Sequence, residues 1–242
     1  MILPPGNVRR RCPPHHDRRH ALCPRPIRRN SAGWPAEALE FYEGLEADNS
    51  KAYWTAHKAV YEEMVRGPMA ELVEELGPEF GESKIFRPYR DIRFSKDKSP
   101  YQTHIGAVVG DGYIQLSANG LAAGSGMHHM APDQLDRYRQ AVADDKAGEE
   151  LGRLISAIER QEIAVHGQDV LKTAPRGYPA DHPRVGLLRY KGVVTWKEWP
   201  VEPWLGTAAA RQHVAGFLAA SQPLCAWLTA NVGESAAEPA RR

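Results

Sequence analysis

The stretch that decides the fold is HIGAVVGDGYIQLSANGLAAGSG, residues 104–126. Glycine-containing breaks at residues 110–112 and 119–120 separate three short runs of mainly apolar residues. The Asn-Gly pair at the second break is a strong signal for a two-residue hairpin turn. The pattern therefore predicts an antiparallel β-meander with strands at residues 104–109, 113–118 and 121–126.

Strand pairing in the meander follows from where the turns are placed. If Asn119-Gly120 is the second turn, Ile114 pairs with Ser125. In the preceding hairpin, a three-residue turn makes Val109 face Tyr113. These pairs are the register that we expect of the central sheet.

Helical patterns flank the meander on both sides. Apolar residues recur at helical spacing from Trp34 onward, Asn49 or Ser50 can cap a second helix, and Gly67-Pro68 is expected to end it and start a third. Further helices are predicted from Pro132, around residues 151–158, at residues 181–188 and on both sides of Pro223. Short strands are predicted at residues 162–165, 170–173 and 193–199, the last as an edge strand. The predicted fold class is α+β: N-terminal helices, a central antiparallel β-meander, further helices and short strands, and C-terminal helices.

Charge divides the chain into a basic arm and an acidic body. Residues 1–33 contain eight arginines and a single acid, a net charge of +7, whereas the whole chain carries +1, so the body carries −6. The arm is rich in proline and poor in apolar residues, so we expect a disordered tail at residues 1–33. One domain is expected at residues 34–232, followed by a disordered C-terminus at residues 233–242.

Composition limits the location and the cofactors of the protein. Three scattered cysteines do not form a disulfide framework, and no apolar run of signal-peptide or membrane-spanning length is present. We therefore expect a soluble, cytoplasmic protein without membrane contact. Cys12, Cys23 and the histidines between them lack a C-x2-C knuckle, and His104 and His128 fall at opposite ends of the meander. The sequence therefore predicts no metal site and no cofactor, and it leaves the oligomeric state open.

A basic block precedes the meander at residues 84–104, KIFRPYRDIRFSKDKSPYQTH. Residues 87–98 hold five cations and two anions, a net charge of +3. Alternation predicts a strand at residues 85–94 that places Arg90 on an apolar face with Phe86, where a cation needs a partner. Two interpretations stay open: the cations bind an anionic ligand, or they pair with Asp91 and with helical glutamates.

Three ordered sequence blocks carry a resemblance to a known family. They are FYEGLEADNSKAYWTAHKAVYEE at residues 41–63, RPYRDIRFSKDKSPYQTHIGA at residues 87–107, and LKTAPRGYPADHP followed by LLRYK at residues 171–191. Together they make the chain resemble the bacterial and fungal family catalogued as domain of unknown function 2461, over roughly residues 34–228. The resemblance implies no particular reaction, substrate or cofactor.

The functional prediction is a pocket for a small anionic ligand that bears phosphate or carboxylate. Arginine forks and lysines suit such groups, and tyrosine adds a hydroxyl and a stacking face. No catalytic residue is assigned, and whether the protein is an enzyme stays open. The alternative is a non-catalytic module that binds nucleic acid or an acidic protein. The predicted ligand-binding residues are Arg90, Arg93, Lys98, Tyr101 and Lys172.

Overall fold

The computed structural model describes residues 33–93 and 95–236. The predicted N-terminal tail, apart from Gly33, and residues 237–242 of the predicted C-terminal segment lie outside the described residues. The boundaries of the domain and of its two tails stay predictions.

The described chain begins with a helical layer. Helix α1 is Ala36–Ala47, and α2 is Lys51–Val60, whose N-terminus is capped by the Ser50 side chain accepting from the Tyr53 N–H at 3.1 Å. A π-helical segment, Tyr61–Arg66, then leads directly into α3, Gly67–Phe80.

The predicted break at Gly67-Pro68 is therefore wrong, because the helix continues through it. The Gly67 N–H donates to the carbonyl of Glu62, five residues earlier. This wider turn opens the hydrogen-bond ladder just before Pro68, which has no N–H to donate and whose ring would crowd an α-helical carbonyl.

Six strands form one antiparallel sheet in the order β1-β2-β3-β4-β6-β5. Their bounds are β1 Ser83–Ile85, β2 His104–Val109, β3 Gly112–Ser117, β4 Gly120–Met127, β5 Ala164–Gln168 and β6 Gly192–Trp199. The meander is confirmed as β2-β3-β4. Strand β6 lies inside the sheet between β4 and β5, so its prediction as an edge strand is wrong, and residues 170–173 are not a strand.

The register of the meander differs from the predicted one, because its first turn is one residue shorter and its second turn is displaced by one residue. Val109 pairs with Gly112 and Ile114 pairs with Ala123, because residues 110–111 and 118–119 form two-residue loops. Gly110 and Gly120 take positive φ angles of 52° and 114° at these turns. Because the first turn has two residues instead of three, the side chains of Val109 and Tyr113 lie on opposite faces of the sheet.

The remaining helices follow the meander. They are α4 Pro132–Ala143, α5 Asp145–Glu159, the short α6 Val185–Leu188 and α7 Ala209–Asn231, with a 3-10 turn at Pro203–Gly206. Helix α6 begins later than predicted. The C-terminal helical segment is confirmed, and α7 runs through Pro223 as one continuous helix.

The helices pack on one face of the sheet. Ile105, Ile114, Leu116, Leu121 and Val193 point to that face and are almost fully buried together with residues of α1, α3, α5 and α7. The α+β fold class is thereby confirmed. None of the described helices is both long and apolar enough to cross a membrane.

The opposite face of the sheet carries partly exposed side chains, and we call it the open face. By strand alternation it presents Phe86, Gly106, Val108, Tyr113, Gln115, Ala122, Gly124, Gly126, Ala164, His166, Gln168, Val194, Trp196 and Glu198. Antiparallel sheets commonly pack one face on the core and leave the other to solvent, and the described residues follow this arrangement.

Candidate functional site

The basic block is a loop rather than a strand. Strand β1 ends at Ile85, and Pro88, which has no N–H, interrupts the pairing soon after. The loop rejoins the fold by backbone hydrogen bonds from Arg90 N to Pro100 O at 2.9 Å and from Gln102 N to Pro88 O at 2.7 Å. The predicted strand at residues 85–94 is therefore wrong beyond its first residue.

Arg90 has a carboxylate partner within its own loop. Its guanidinium forms an ion pair with Asp97, and 28% of the Arg90 side chain is exposed. Arg90 and Ser99 together hold the pKa of the Asp97 carboxyl well below its usual range. The Arg90 cation is thus compensated by a carboxylate of its own loop, a pairing that was not predicted from the sequence.

Arg93 and Lys98 also have partners in this loop. Arg93 makes a bidentate pair with Asp91, with Nε to Oδ1 at 2.9 Å and Nη2 to Oδ2 at 2.6 Å. Hydrogen bonds from Arg93 lower the pKa of Asp91 to about 2. The Lys98 ammonium donates to the neutral Ile92 carbonyl at 3.0 Å, and it forms no ion pair with a carboxylate among the described residues.

Tyr101 is part of the core rather than of a cavity. It is 5% exposed, and its ring stacks on Trp54 with centroids 4.4 Å apart and planes 8° from parallel. The Asn49 side chain fixes its backbone, donating to Tyr101 O at 3.1 Å and accepting from Tyr101 N at 3.0 Å. Asn49 therefore fastens the C-terminal end of the basic block, residues 84–104, to the junction between α1 and α2.

Lys172 lies away from the other predicted site residues. It is exposed in the segment after β5, whereas Arg90 follows β1, and these strands are the two edges of the sheet. Five strand spacings of about 4.8 Å separate such edges by roughly 24 Å. The sheet does not bring Arg90 and Lys172 together, and a ligand-binding role for the five residues stays a prediction.

A cavity of about 630 Å³ lies on the open face, at the end of the sheet where β4 finishes. This volume is within the range of small-molecule sites. We call it the trough. Its lining residues come from four strands and two adjoining turns: Asp111, Tyr113, Gly124, Ser125, Gly126, His128, His166, Gln168, Val194 and Trp196.

Glycines make room for aromatic rings on this face. A Cβ added to Gly124 would lie 2.7 Å from Cε3 of Trp196, and one added to Gly106 would lie 2.8 Å from the Tyr113 hydroxyl. Trp196 therefore lies over Gly124, and Tyr113 lies over Gly106. The two rings are near-parallel, with planes 19° apart and centroids separated by 6.3 Å.

The polar atoms of these rings are bonded to neighbours on their own strands. The Tyr113 hydroxyl donates to Gln115 Oε1 at 3.0 Å, and Trp196 Nε1 donates to Glu198 Oε1 at 2.9 Å. Partial burial raises the pKa of Tyr113, so its phenol stays neutral at physiological pH. What the rings offer to a ligand is their apolar faces.

Besides Tyr113, the titratable groups that line the trough are Asp111, His128 and His166. Among the described residues, no three His, Cys, Asp or Glu side chains are arranged to hold a metal ion. A second, more open cavity of about 470 Å³ shares Asp111 and runs along α7 past Cys225. Stacking and hydrogen bonding are accordingly the interactions that the trough can supply.

Trp196, Tyr113 and the glycines beneath their rings, Gly124 and Gly106, were not predicted as site residues from the sequence. A signal for them was present: glycine or alanine occupies every second position from Ala122 to Gly126, on the strand between the two aromatic residues. An aromatic residue followed two positions later by a polar one occurs in both neighbouring strands. These signals come together only because β4 pairs with β6, and more than sixty residues of sequence separate these two strands.

Comparison with known proteins gives one match. The family model described as "Conserved hypothetical protein (DUF2461)" matches residues 37–227, which is most of the chain. No curated protein and no solved structure matches the chain.

Proposed function

The chain belongs to the DUF2461 family, and we propose that it binds a small ligand with a flat ring in the trough, against the faces of Trp196 and Tyr113. The observation that carries the proposal is the arrangement of these rings over glycine. The polar atom of each ring already donates a hydrogen bond to a side chain on its own strand, so an apolar ligand can cover the outward face of the ring without leaving a donor unpaired.

The walls of the trough suit a ring compound with polar edges. His128, His166 and Gln168 surround the apolar floor and offer hydrogen-bond donors and acceptors. An apolar, partly aromatic cavity with a few convergent polar groups is the usual composition of a small-molecule site. The proposal concerns binding and assigns no chemical step.

A ligand screen on the full-length chain tests this proposal. Thermal shift and ligand-detected NMR would be run with purines, pyrimidines, indoles and wider fused rings, and with saturated ring compounds of equal size for comparison. We expect flat rings to bind and Trp196→Ala to weaken them by about 1–3 kcal/mol, the range measured for aromatic stacking.

The matched control is Trp204→Ala. Trp204 also hydrogen-bonds a glutamate two residues away, with Nε1 to Glu202 Oε2 at 2.8 Å, but it stacks on His213 of α7 outside the trough. This variant should leave binding unchanged. The proposal is refuted when no flat ring binds, or when Trp196→Ala and Trp204→Ala change the affinity equally.

We propose, second, that the basic loop, residues 87–98, binds the anionic group predicted from the sequence. Its support is the net charge of +3, which internal ion pairs do not change. Arg90 and Arg93 have carboxylate partners, so Lys98, Arg87 and Lys96 are the cations best placed to take part. We expect phosphate or citrate to stabilise the chain and Lys98→Ala to abolish this stabilisation. Lys58→Ala, on the exposed face of α2, is the control and should leave it unchanged. Equal responses of the two variants would refute the site.

A further inference from the structure

The aromatic surface of the open face extends beyond the trough. Phe86, Tyr113 and Trp196 lie in a row across the sheet, with centroids 6.3 Å apart at each step and planes 36° and 19° apart. We call these three residues the aromatic strip. Phe86 lies outside the trough and is 43% exposed, which is unusual for a phenylalanine side chain.

The strip is built for contact by ring faces. Gly106 and Gly124 sit beneath Tyr113 and Trp196, so both rings lie down on the sheet instead of standing away from it. A ligand with one ring would use only part of this surface. A strip of three rings suits a chain of flat rings, in which successive members can each stack on one side chain.

Charge at one end of the strip adds a second requirement. The basic loop begins at Arg87, directly after Phe86, and holds a net charge of +3. Lys84 is exposed on β1 and pairs with Val108, beside Tyr113, so its side chain belongs to the open face. A chain of flat rings that also carries regularly spaced negative charge matches both features.

We propose that the open face binds single-stranded nucleic acid, with bases stacked on the aromatic strip and backbone phosphates against Lys84 and the basic loop. Single strands are the form that fits, because the bases of a duplex stack on one another and cannot present their faces. His166 and Gln168 line the same trough as Trp196, so they are the polar side chains that would bind the edges of a base stacked there. This inference rests on the proposed stacking function of the trough.

The experiment is a fluorescence-anisotropy titration of the full-length chain with labelled twelve-nucleotide probes. The probes are oligo(dT), oligo(rU), a duplex of equal length, and an abasic strand that keeps the sugar-phosphate backbone without bases. The abasic strand reports purely electrostatic binding, including any by the arginine-rich residues 1–33. We expect the base-bearing single strands to bind more tightly than the abasic strand and the duplex.

Variants separate stacking from charge. Phe86→Ala and Trp196→Ala should each weaken oligo(dT) binding by roughly 5- to 150-fold and leave the abasic strand unaffected. Trp204→Ala is the matched control and should change neither. Arg87→Ala should lower the slope of log affinity against log salt by about one, between 50 and 200 mM salt.

Three results overturn the inference. The first is equal affinity for the abasic strand and oligo(dT), and the second is an oligo(dT) affinity that neither aromatic variant changes. The third is binding of free nucleosides, or of an uncharged oligosaccharide, that depends on Trp196 while oligo(dT) binds no more tightly than thymidine monophosphate. This third result would leave the proposed function of the trough standing, whereas the absence of any Trp196-dependent binding would remove both.

Discussion

Replacing Asn49 by alanine is expected to lower the free energy of unfolding by about 1–3 kcal/mol. The Asn49 amide makes two partly buried hydrogen bonds to the Tyr101 backbone, at 3.0 and 3.1 Å. Each bond contributes roughly 0.5–1.5 kcal/mol net, and alanine replaces neither. The same change frees the C-terminal end of the basic block from the helical layer, so the stacking of Tyr101 on Trp54 should weaken with it.

Urea denaturation followed by tryptophan fluorescence measures this effect, and near-ultraviolet circular dichroism reports the Tyr101–Trp54 stack. For a domain of this size the expected loss lowers the melting temperature by roughly 2–12 °C. Asn49→Asp should be intermediate, since it keeps the acceptor for Tyr101 N–H and loses the donor to Tyr101 O.

The control is Asn231→Ala. Asn231 donates at 2.9 Å to Trp227 O one turn earlier in its own helix, so its loss should cost no more than about 0.5 kcal/mol. If Asn49→Ala and Asn231→Ala have the same urea midpoint, Asn49 does not fasten the basic block. An unchanged near-ultraviolet spectrum would refute the coupling to the Tyr101–Trp54 stack.

Three other predictions concern stability at low pH, a buried hydrogen bond in the core and the reactivity of Cys225. Arg93 lowers the folded pKa of Asp91 from 3.8 to about 2, so the resulting stabilisation is present above pH 4 and is lost as the pH falls towards 2; Asp91→Asn should flatten that part of the melting-temperature profile. Thr195 is fully buried and bonds Ser221 Oγ at 2.9 Å, so Thr195→Val should cost about 1–3 kcal/mol in urea denaturation, and an unchanged midpoint would contradict this. Burial raises the pKa of the Cys225 thiol, so peptide mapping should find it alkylated much more slowly in the folded chain than after unfolding, and equal rates would count against that placement.

The elements of the fold followed closely from local sequence. Apolar spacing located the helices, and the glycine-rich turns located the three strands of the meander to within one residue at each end. The errors came where local signals compete. Pro68 is a helix breaker in isolation, yet it lies inside a continuous helical segment, because the π-helical turn before it opens the hydrogen-bond ladder and packing of the apolar stripe outweighs one lost hydrogen bond.

The predicted site and the trough differ for a related reason. The density of charge in the basic loop is visible in the sequence, but whether Arg90 meets Asp97 or a ligand depends on how the loop closes. Trp196 and Tyr113 are separated by more than eighty residues, and their distance depends on β4 lying between their strands. No spacing along the chain encodes that strand order.

The sequence by itself determined the family, the α+β class, the helical and strand segments and the excess of positive charge before the meander. These depend on side-chain periodicity, turn chemistry and composition, which act over a few residues. The tertiary structure alone decided which cations are paired internally, which face of the sheet is left open and which rings share it. Those outcomes depend on contacts between distant segments, and they form only when the helices bury one face of the sheet and leave the aromatic strip on the other.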